Sequence, residues 1–315
     1  MTGFFIRRLG QSIIVIIGVT IIAFFLLHLI PGGPARALLG PRATAVQIKQ
    51  FNIANGYNKP FWVQYFDYIV QLLHGNLGRS FKLNQSVTSI LSNEMPKTIL
   101  LVGTSTLLSI VIAIPIGVIQ AVKRNKVVDY VGTGASFFLY AMPTFWAGQL
   151  LILLLAEKVH LFPAEAPQGS TITQVLSQPN ALVLPILTLT LITYAAYSRY
   201  MRSSAIEALA QDWIRTAKAK GLSSRVILFK HMLRNALIPI ATLVGLSIPG
   251  IFTNGLVAEQ VFNYPGTGLD FYNAAVQQDY PLLLGTILVI ALFTIIGNLF
   301  ADLAYAVLDP RVRYR

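Results

Sequence analysis

The residues that could do chemistry in this chain are few, and most sit too far apart to act together. Its four histidines lie at positions 28, 74, 160 and 231, and cysteine is absent, so there is no thiolate nucleophile, no disulfide framework and no clustered metal-ligand set. Gly103 to Ser109 reads Gly-Thr-Ser-Thr-Leu-Leu-Ser, small and polar, but it lacks the lysine that a phosphate-cradling loop needs. Helix packing through small residues is its simpler reading. No constellation points to catalysis. The interesting stretch is another one: Asp212, Trp213, Ile214, Arg215, Thr216, Ala217 and Lys218 put an indole, a sec-butyl group and three charged side chains of both signs on one short segment ending at Gly221. That mixture suits docking, either into a protein groove or onto anionic lipid headgroups.

The elements that must carry this segment follow from composition. Apolar residues make up 55% of the 315 residues and charged ones only 11%, under half the ~25% usual in soluble domains. So little charge cannot cover a water-facing surface of this size, and a lipid bilayer is the solvent that explains it. A hydrocarbon core of ~30 Å calls for about 20 apolar residues in helix. Six stretches qualify: Leu9 to Ile30, Thr98 to Val122, Tyr130 to Ala156, Leu182 to Tyr197, Ala236 to Val257 and Leu283 to Val307. The first superficially imitates a secretory signal, but its apolar run is too long for one and it reads as a retained anchor. The fifth carries Pro239, Pro249, Gly245, Gly250 and Gly255, and is expected to be kinked or to line a cavity.

Charge gives the orientation. Arg7, Arg8, Lys123, Arg124, Lys126, the bases of residues 199–235, and Arg311, Arg313 and Arg315 all fall on one side of a six-span count. Bases mark the cytoplasmic side, so both termini are expected there. The short connections opposite hold Glu157, Glu165, Glu259, Asp270 and Asp279 against Lys158. Residues 31–97 are basic yet must lie outside; segments beyond ~60 residues cross largely regardless of charge. The formal net charge of +12 is thus an orientation signal, and no nucleic-acid module accompanies it.

Residues 199–235 are far too many for a connection between packed helices. Ala205 to Lys220 contains helix formers without glycine or proline, Gly221 offers a left-handed cap, and Ser223 or Ser224 starts the next helix. Two short helices meeting at Gly221 are expected.

At this point a resemblance enters. Asp212-Trp-Ile-Arg-Thr-Ala-Lys-Ala-Lys-Gly221, continuing to His231-Met-Leu-Arg-Asn-Ala-Leu-Ile-Pro239, resembles the cytoplasmic loop of ABC-importer permeases, and most closely that of dipeptide and oligopeptide importers. Arg215, Thr216 and Ala217 occupy the places of the family's E-A-A, Gly221 its glycine, and His231 to Arg234 its I-x-L-P. The likeness continues through Pro31-Gly-Gly-Pro34, Gln64-Tyr65, Gly75-Asn-Leu-Gly-Arg-Ser80, Met142-Pro-Thr-Phe-Trp146, Glu259-Gln-Val-Phe-Asn-Tyr-Pro-Gly-Thr-Gly268, Asp279-Tyr-Pro281 and Asp309-Pro-Arg-Val-Arg313. Gly33 and Asn76 stand where that branch has acids.

The resemblance implies an all-α type I ABC-importer permease fold in the bacterial cytoplasmic membrane, with residues 1–30 as N-terminus and first span, 31–97 as an external segment, and 98–315 as the core. It implies peptide import, with nickel complexes, glutathione or oligosaccharides as the alternative cargo within the class. It further implies partners: a second homologous permease, two ATP-binding subunits that hold ATP and magnesium, and an extracytoplasmic solute-binding protein. Asp212 to Lys218 and Gly221 would couple to the ATPase, with Trp213 and Ile214 as anchors. No cofactor is expected in this chain itself. A stand-alone secondary transporter would instead show membrane-embedded charges or an inverted repeat, and neither is apparent.

For the pore, Tyr140, Gln149, Tyr194 and Asn254 are candidates for a polar lining. His28 and Glu259 fall at span ends and are expected at the membrane interface. The aromatic run from Phe61 to Leu73 is expected either to dock the binding protein or to form a small core of its own.

Overall fold

The structure is a computed structural model that describes residues 2–29, 33–40, 42–247 and 250–308. Pro31, Gly32, Pro249 and the tail from Asp309 to Arg315, which carry some of the motifs and orientation charges above, lie outside the described residues. The described residues form helices and loops without a named strand.

Helix α1 (Thr2–His28) precedes three short helices, α2 (Gly33–Leu39), α3 (Ala45–Ala54) and α4 (Phe61–Leu73). Thr44 starts α3 through a reciprocal capping box with Gln47. Then comes α5 (Val87–Val122), 36 residues long, and α6 (Val127–Ala141) with α7 (Thr144–Leu151), the latter prolonged by π-type turns to Lys158. After α8 (Ile172–Leu176) runs the 32-residue α9 (Pro179–Ala210), followed by α10 (Asp212–Ala219) and α11 (Ser224–Val226). A π-type stretch (Ile227–Met232) leads into α12 (Leu233–Ser247), and α13 (Ile251–Val261), α14 (Thr267–Gln277) and α15 (Tyr280–Leu308) complete the described chain.

Four stretches are long and apolar enough to cross a bilayer: α5, α9, Ser224–Gly245 and α15; a fifth results if α6 and α7 together make one bent span. The apolar part of α1, Gly10–Leu26, is shorter.

Three boundaries differ from the hydropathy reading, each for a physical reason. The second span was expected to begin at Thr98, yet α5 begins at Val87. Lys97 looks like a membrane boundary but is fully buried, with Nζ 2.6 Å from Glu94 Oε2 and donating to the Gly169 carbonyl at 3.1 Å. The third span was expected to be continuous; instead α6 and α7 meet at 105°. Pro143 forces extended backbone on Met142 (φ −76°, ψ 125°), and the helix cannot pass. Finally, α9 runs on to Ala210 because Met201, Ala205 and Ala208 keep a buried stripe at helical spacing beyond the apolar run. The chain breaks at Gln211 (ψ 150°), so the first of the two expected loop helices is split.

The centre is the α5–α9 pair. Ser109 Oγ donates to the Thr190 carbonyl at 3.0 Å, and Thr190 Oγ1 donates back to the Ser105 carbonyl at 3.4 Å. The small polar run at Gly103 to Ser109 thus joins helices, as expected. One apolar cluster at the α10 end gathers Met201, Ala205, Ile214, Ile227 and Met232; a second at the opposite end gathers Leu101, Leu184, Phe262 and Tyr264.

The aromatic run divides its faces. Phe24 of α1 packs against Phe61, Tyr65 and Tyr68 at 5.1 to 5.5 Å between ring centroids, and His28 Nε2 pairs with Gln64 Oε1 at 2.9 Å. Trp62, Phe66 and Leu73 remain exposed on the other side of α4. The loop that follows α4 is pinned by Asp279, whose carboxylate accepts from the Ser80 hydroxyl, the Phe81 N–H (3.0 Å) and the Lys82 N–H (3.2 Å). Asp279→Ala leaves these donors without an acceptor, and new protease cleavage between residues 76 and 86 is the expected result in membrane vesicles.

Candidate functional site

Helix α10 is short and owes its position to its neighbours and its caps. Its own chain buries Ile214 (0% exposed) and Ala217 (6%), three residues apart on one face, in the cluster with Met201, Ala205, Ala208 and Met232. Ile214, read from sequence as an anchor toward a partner, therefore points inward and fixes α10 to the body. The other face is free: Asp212, Trp213, Arg215, Thr216 and Lys218 are all exposed. Arg215 Nη1 and Asp212 Oδ1 lie 3.3 Å apart as an exposed pair one turn apart, which adds little to stability.

The end of α10 is built as the sequence suggests. Gly221 has φ +75°, its N–H donates to the Lys218 carbonyl at 2.9 Å, and the Leu222 N–H donates to the Ala217 carbonyl at 3.2 Å. This pair of bonds is a Schellman closure, which requires the left-handed residue that glycine supplies most cheaply. Ser223 then caps α11 through the Val226 N–H. Arg202 of α9 grips Asp129 of α6 with two bonds, Nε–Oδ1 2.5 Å and Nη2–Oδ2 2.8 Å, so α6 and α9 are clamped together.

A groove of about 490 Å³ opens higher along the same helices. Its polar lining comes from Tyr140 and Thr144 (the α6–α7 bend), Thr193, Tyr197 and Tyr200 (α9), and Ser247, Thr253 and Asn254 (α12 and α13). No Asp, Glu, Lys, Arg or His is among its lining residues. Of the four sequence candidates for a polar path, Tyr140 and Asn254 meet here. Tyr194 packs against the apolar cluster around Ile214, and Gln149 is exposed on α7 away from the groove. The hydroxyls of Thr193, Tyr197, Tyr200 and Ser247 were missed. Only the 105° bend and the break between α12 and α13 bring them together, and neither leaves a periodic signal.

At the far end, the segment Glu259 to Gly268 forms a buried hydrogen-bonded knot. Glu259, at the end of its span, is fully buried within the protein. Its Oε1 accepts from Thr98 Oγ1 at 2.6 Å, and its Oε2 from the Gly268 and Leu269 N–H groups at 2.7 and 3.0 Å. Tyr264 donates to the Lys97 carbonyl at 2.8 Å. A Cβ on Gly266 would stand 2.5 Å from the Glu259 carboxylate, and one on Gly268 would stand 2.6 Å from Leu256 Cα, so this turn admits no side chain at either place. Residues 259–268 were matched in the sequence as a motif; their joint burial with Thr98 was not legible there.

Asp270 stands beside this knot. Burial, then the charge of Glu94, pushes its carboxyl up from 3.8 to about 7, with Lys97 opposing and Glu259 adding. The fold favours the neutral acid, so the stability it lends is complete below about pH 4 and is lost as pH rises toward 7. Asp270→Asn stays neutral throughout. It is expected to raise the apparent melting temperature of the detergent-solubilised protein clearly at pH 8 and far less at pH 4.5.

Among the described residues no group of three or more His, Cys, Asp or Glu could hold a metal ion. The arrangement is that of a short helix with one free face, a neutral polar groove and a braced far end.

Comparison with known proteins accounts for the whole chain. Residues 1–102 match the family model described as binding-protein-dependent transport system membrane component, N-terminal, and residues 113–314 match the one described as binding-protein-dependent transport system inner membrane component. The oligopeptide transport system permease protein AppB of Bacillus subtilis (strain 168) is 36% identical over 316 residues, covering 100% of both chains. The dipeptide transport system permease protein DppB of Escherichia coli (strain K12) is 32% identical over 338 residues, again covering 100% of both. The di/tripeptide transport system permease protein DppB of Pseudomonas aeruginosa (strain UCBPP-PA14) is 33% identical over 335 residues with the same coverage.

Proposed function

The chain belongs to the family of binding-protein-dependent transport system inner membrane components, and on that premise we propose that it is the permease subunit of an ATP-driven peptide importer. The observation that carries the reading is its likeness, over the full length of both chains, to permeases named for oligopeptides, dipeptides and di/tripeptides. In this reading the chain sits in the bacterial inner membrane with six spans: α1, α5, the bent α6–α7 pair, α9, the α12–α13 region and α15. Both termini face the cytoplasm, residues 31–97 lie outside, and residues 199–235 form the coupling region of the core.

The working complex pairs this chain with a second permease and two ATP-binding subunits, which hold the nucleotide and its magnesium. A solute-binding protein delivers the peptide from outside, and the exposed face of α4 with Trp62, Phe66 and Leu73 is its docking surface. Trp213, Arg215, Thr216 and Lys218 of α10 enter a groove of the ATPase. Ile214 and Ala217 carry the movement inward, because they share a buried cluster with Met201 and Tyr197 of α9 and with Ala236 and Ile240 of α12. Tyr197 also lines the polar groove, so a displaced α10 pushes on the helices that bound the path.

The test is reconstitution. Proteoliposomes holding both permeases and both ATP-binding subunits, supplied with the binding protein, are expected to take up a labelled tripeptide only with ATP inside. Uptake by this chain alone without any ATPase would overturn the reading.

A further inference from the structure

Arg199 of α9 is not accounted for by the coupling region to which its sequence position assigns it. Its guanidinium carbon lies 4.3 Å from the Phe137 ring centroid and 4.8 Å from that of Tyr140, and Tyr140 lines the polar groove. Three residues further along α9, Arg202 reaches Asp129 in the first turn of α6. Phe137 and Tyr140 lie eight and eleven residues beyond Asp129, roughly 12 and 16 Å further along α6 at 1.5 Å per residue. The two arginines therefore send their head groups apart, Arg202 to the clamp and Arg199 toward the bend at Met142.

Ring faces hold a cation but accept none of its five N–H donors well. Among the described residues no carboxylate pairs with Arg199, and the groove wall beside it is neutral. A half-exposed guanidinium stacked on a groove-lining ring, with no carboxylate on it, has its planar fork free for an anion that arrives. A peptide carries one such group whatever its sequence, the C-terminal carboxylate, whose two oxygens match the guanidinium fork. The hydroxyls and amide along the wall, from Thr193, Tyr197, Ser247 and Asn254, offer donors and acceptors for main-chain N–H and C=O groups without selecting side chains.

We infer that Arg199 is a specificity-determining residue of the groove, receiving the C-terminal carboxylate of a peptide in transit while the neutral wall meets its main chain. This rests on the peptide-importer reading above. The whole importer in proteoliposomes is given alanyl tripeptide as the free acid or as the C-terminal amide, with the binding protein saturated by each so that its own preference drops out. The wild-type complex is expected to carry the free acid about tenfold faster than the amide, the range of one charge-assisted contact. Arg199→Gln should bring that ratio close to one. Arg199→Lys keeps the charge but loses the planar fork, and should retain part of the preference. An equal loss of both peptides in Arg199→Gln would mean a pair with the second permease or a packing role, and would overturn the inference, as would an unchanged ratio or no wild-type preference. If the wild-type complex carries neither peptide, the importer reading itself falls and takes the inference with it.

Discussion

Gly221→Val is expected to reduce peptide uptake at least a hundredfold while the protein remains inserted at its normal level. At φ +75° a side chain clashes with its own backbone, at roughly 1–2 kcal/mol for an ordinary residue and more for a β-branched one. Moving out of that conformation breaks the two bonds to the Lys218 and Ala217 carbonyls, each worth about 1 kcal/mol. The rest of the molecule can absorb such a sum, since the α5–α9 pair and both large clusters are untouched. Helix α10 cannot. It has eight residues, far below the ~12 at which an isolated helix becomes even marginal, and it buries only Ile214 and Ala217. A few kcal/mol is enough to displace it, and a displaced α10 no longer transmits movement. Open space surrounds the missing Cβ of Gly221, so the effect comes from backbone geometry and not from crowding. Gly221→Asn, which tolerates the left-handed region, should therefore keep much of the activity. Trp213→Ala acts by the other route: the indole faces outward, so the fold stays intact while uptake and peptide-stimulated ATP hydrolysis in the complex fail. Wild-type uptake and stimulated hydrolysis in either Gly221→Val or Trp213→Ala would remove α10 from the coupling role.

Glu259→Ala is the largest expected effect on stability. It strands two backbone donors, the buried Gly268 N–H and the half-buried Leu269 N–H, and leaves the Thr98 hydroxyl with Thr267 Oγ1 alone at 3.0 Å. At about 1–3 kcal/mol for each of the two stranded groups, the loss is roughly 2–6 kcal/mol and exceeds what most single substitutions cost. A fall of roughly 10 °C in apparent melting temperature should accompany it, measured on the purified protein by tryptophan fluorescence. Glu259→Gln separates hydrogen bonding from charge. Its carbonyl oxygen can accept both backbone N–H groups, and its NH₂ can donate to Thr98, so it should recover most of the loss. If alanine and glutamine prove equally damaging, the carboxylate acts through its charge and the bracing role assigned here is wrong.

The two predictions divide along the line between what could be read and what could not. The Gly221 turn was legible because all of its causes are local. Helix formers, a glycine and a serine within about twenty residues determine where α10 ends and α11 begins, and hydrogen bonds of short sequence separation close the motif. Membrane class was legible for a similar reason, since a chain this poor in charge has few ways to be solvated. The direction of Ile214 was less so: Trp213 and Ile214 are neighbours in sequence but lie about 100° apart around the helix, and only packing decides which one the body claims.

Glu259 shows the limit. Hydropathy places a carboxylate at the end of a span in the interface by default, because burying it alone is costly. What lets the protein bury it is Thr98, brought from 161 residues away, together with a glycine turn folded back onto the carboxylate. Lys97 is buried in the same way, its charge met by Glu94 and by a carbonyl 72 residues distant.

By itself the sequence determined the solvent of this protein, its helical class, its family and the turn at Gly221, since composition, period and local caps act within one or two turns of chain. Only the tertiary structure decided which face of α10 is free, that Glu259 and Lys97 are buried, that Tyr140 and Asn254 share a groove while Tyr194 and Gln149 do not, and that Arg199 stacks on Tyr140 beside it. Those outcomes depend on hydrogen bonds and packing between segments far apart in sequence, and on helix breaks whose angle no residue pattern encodes.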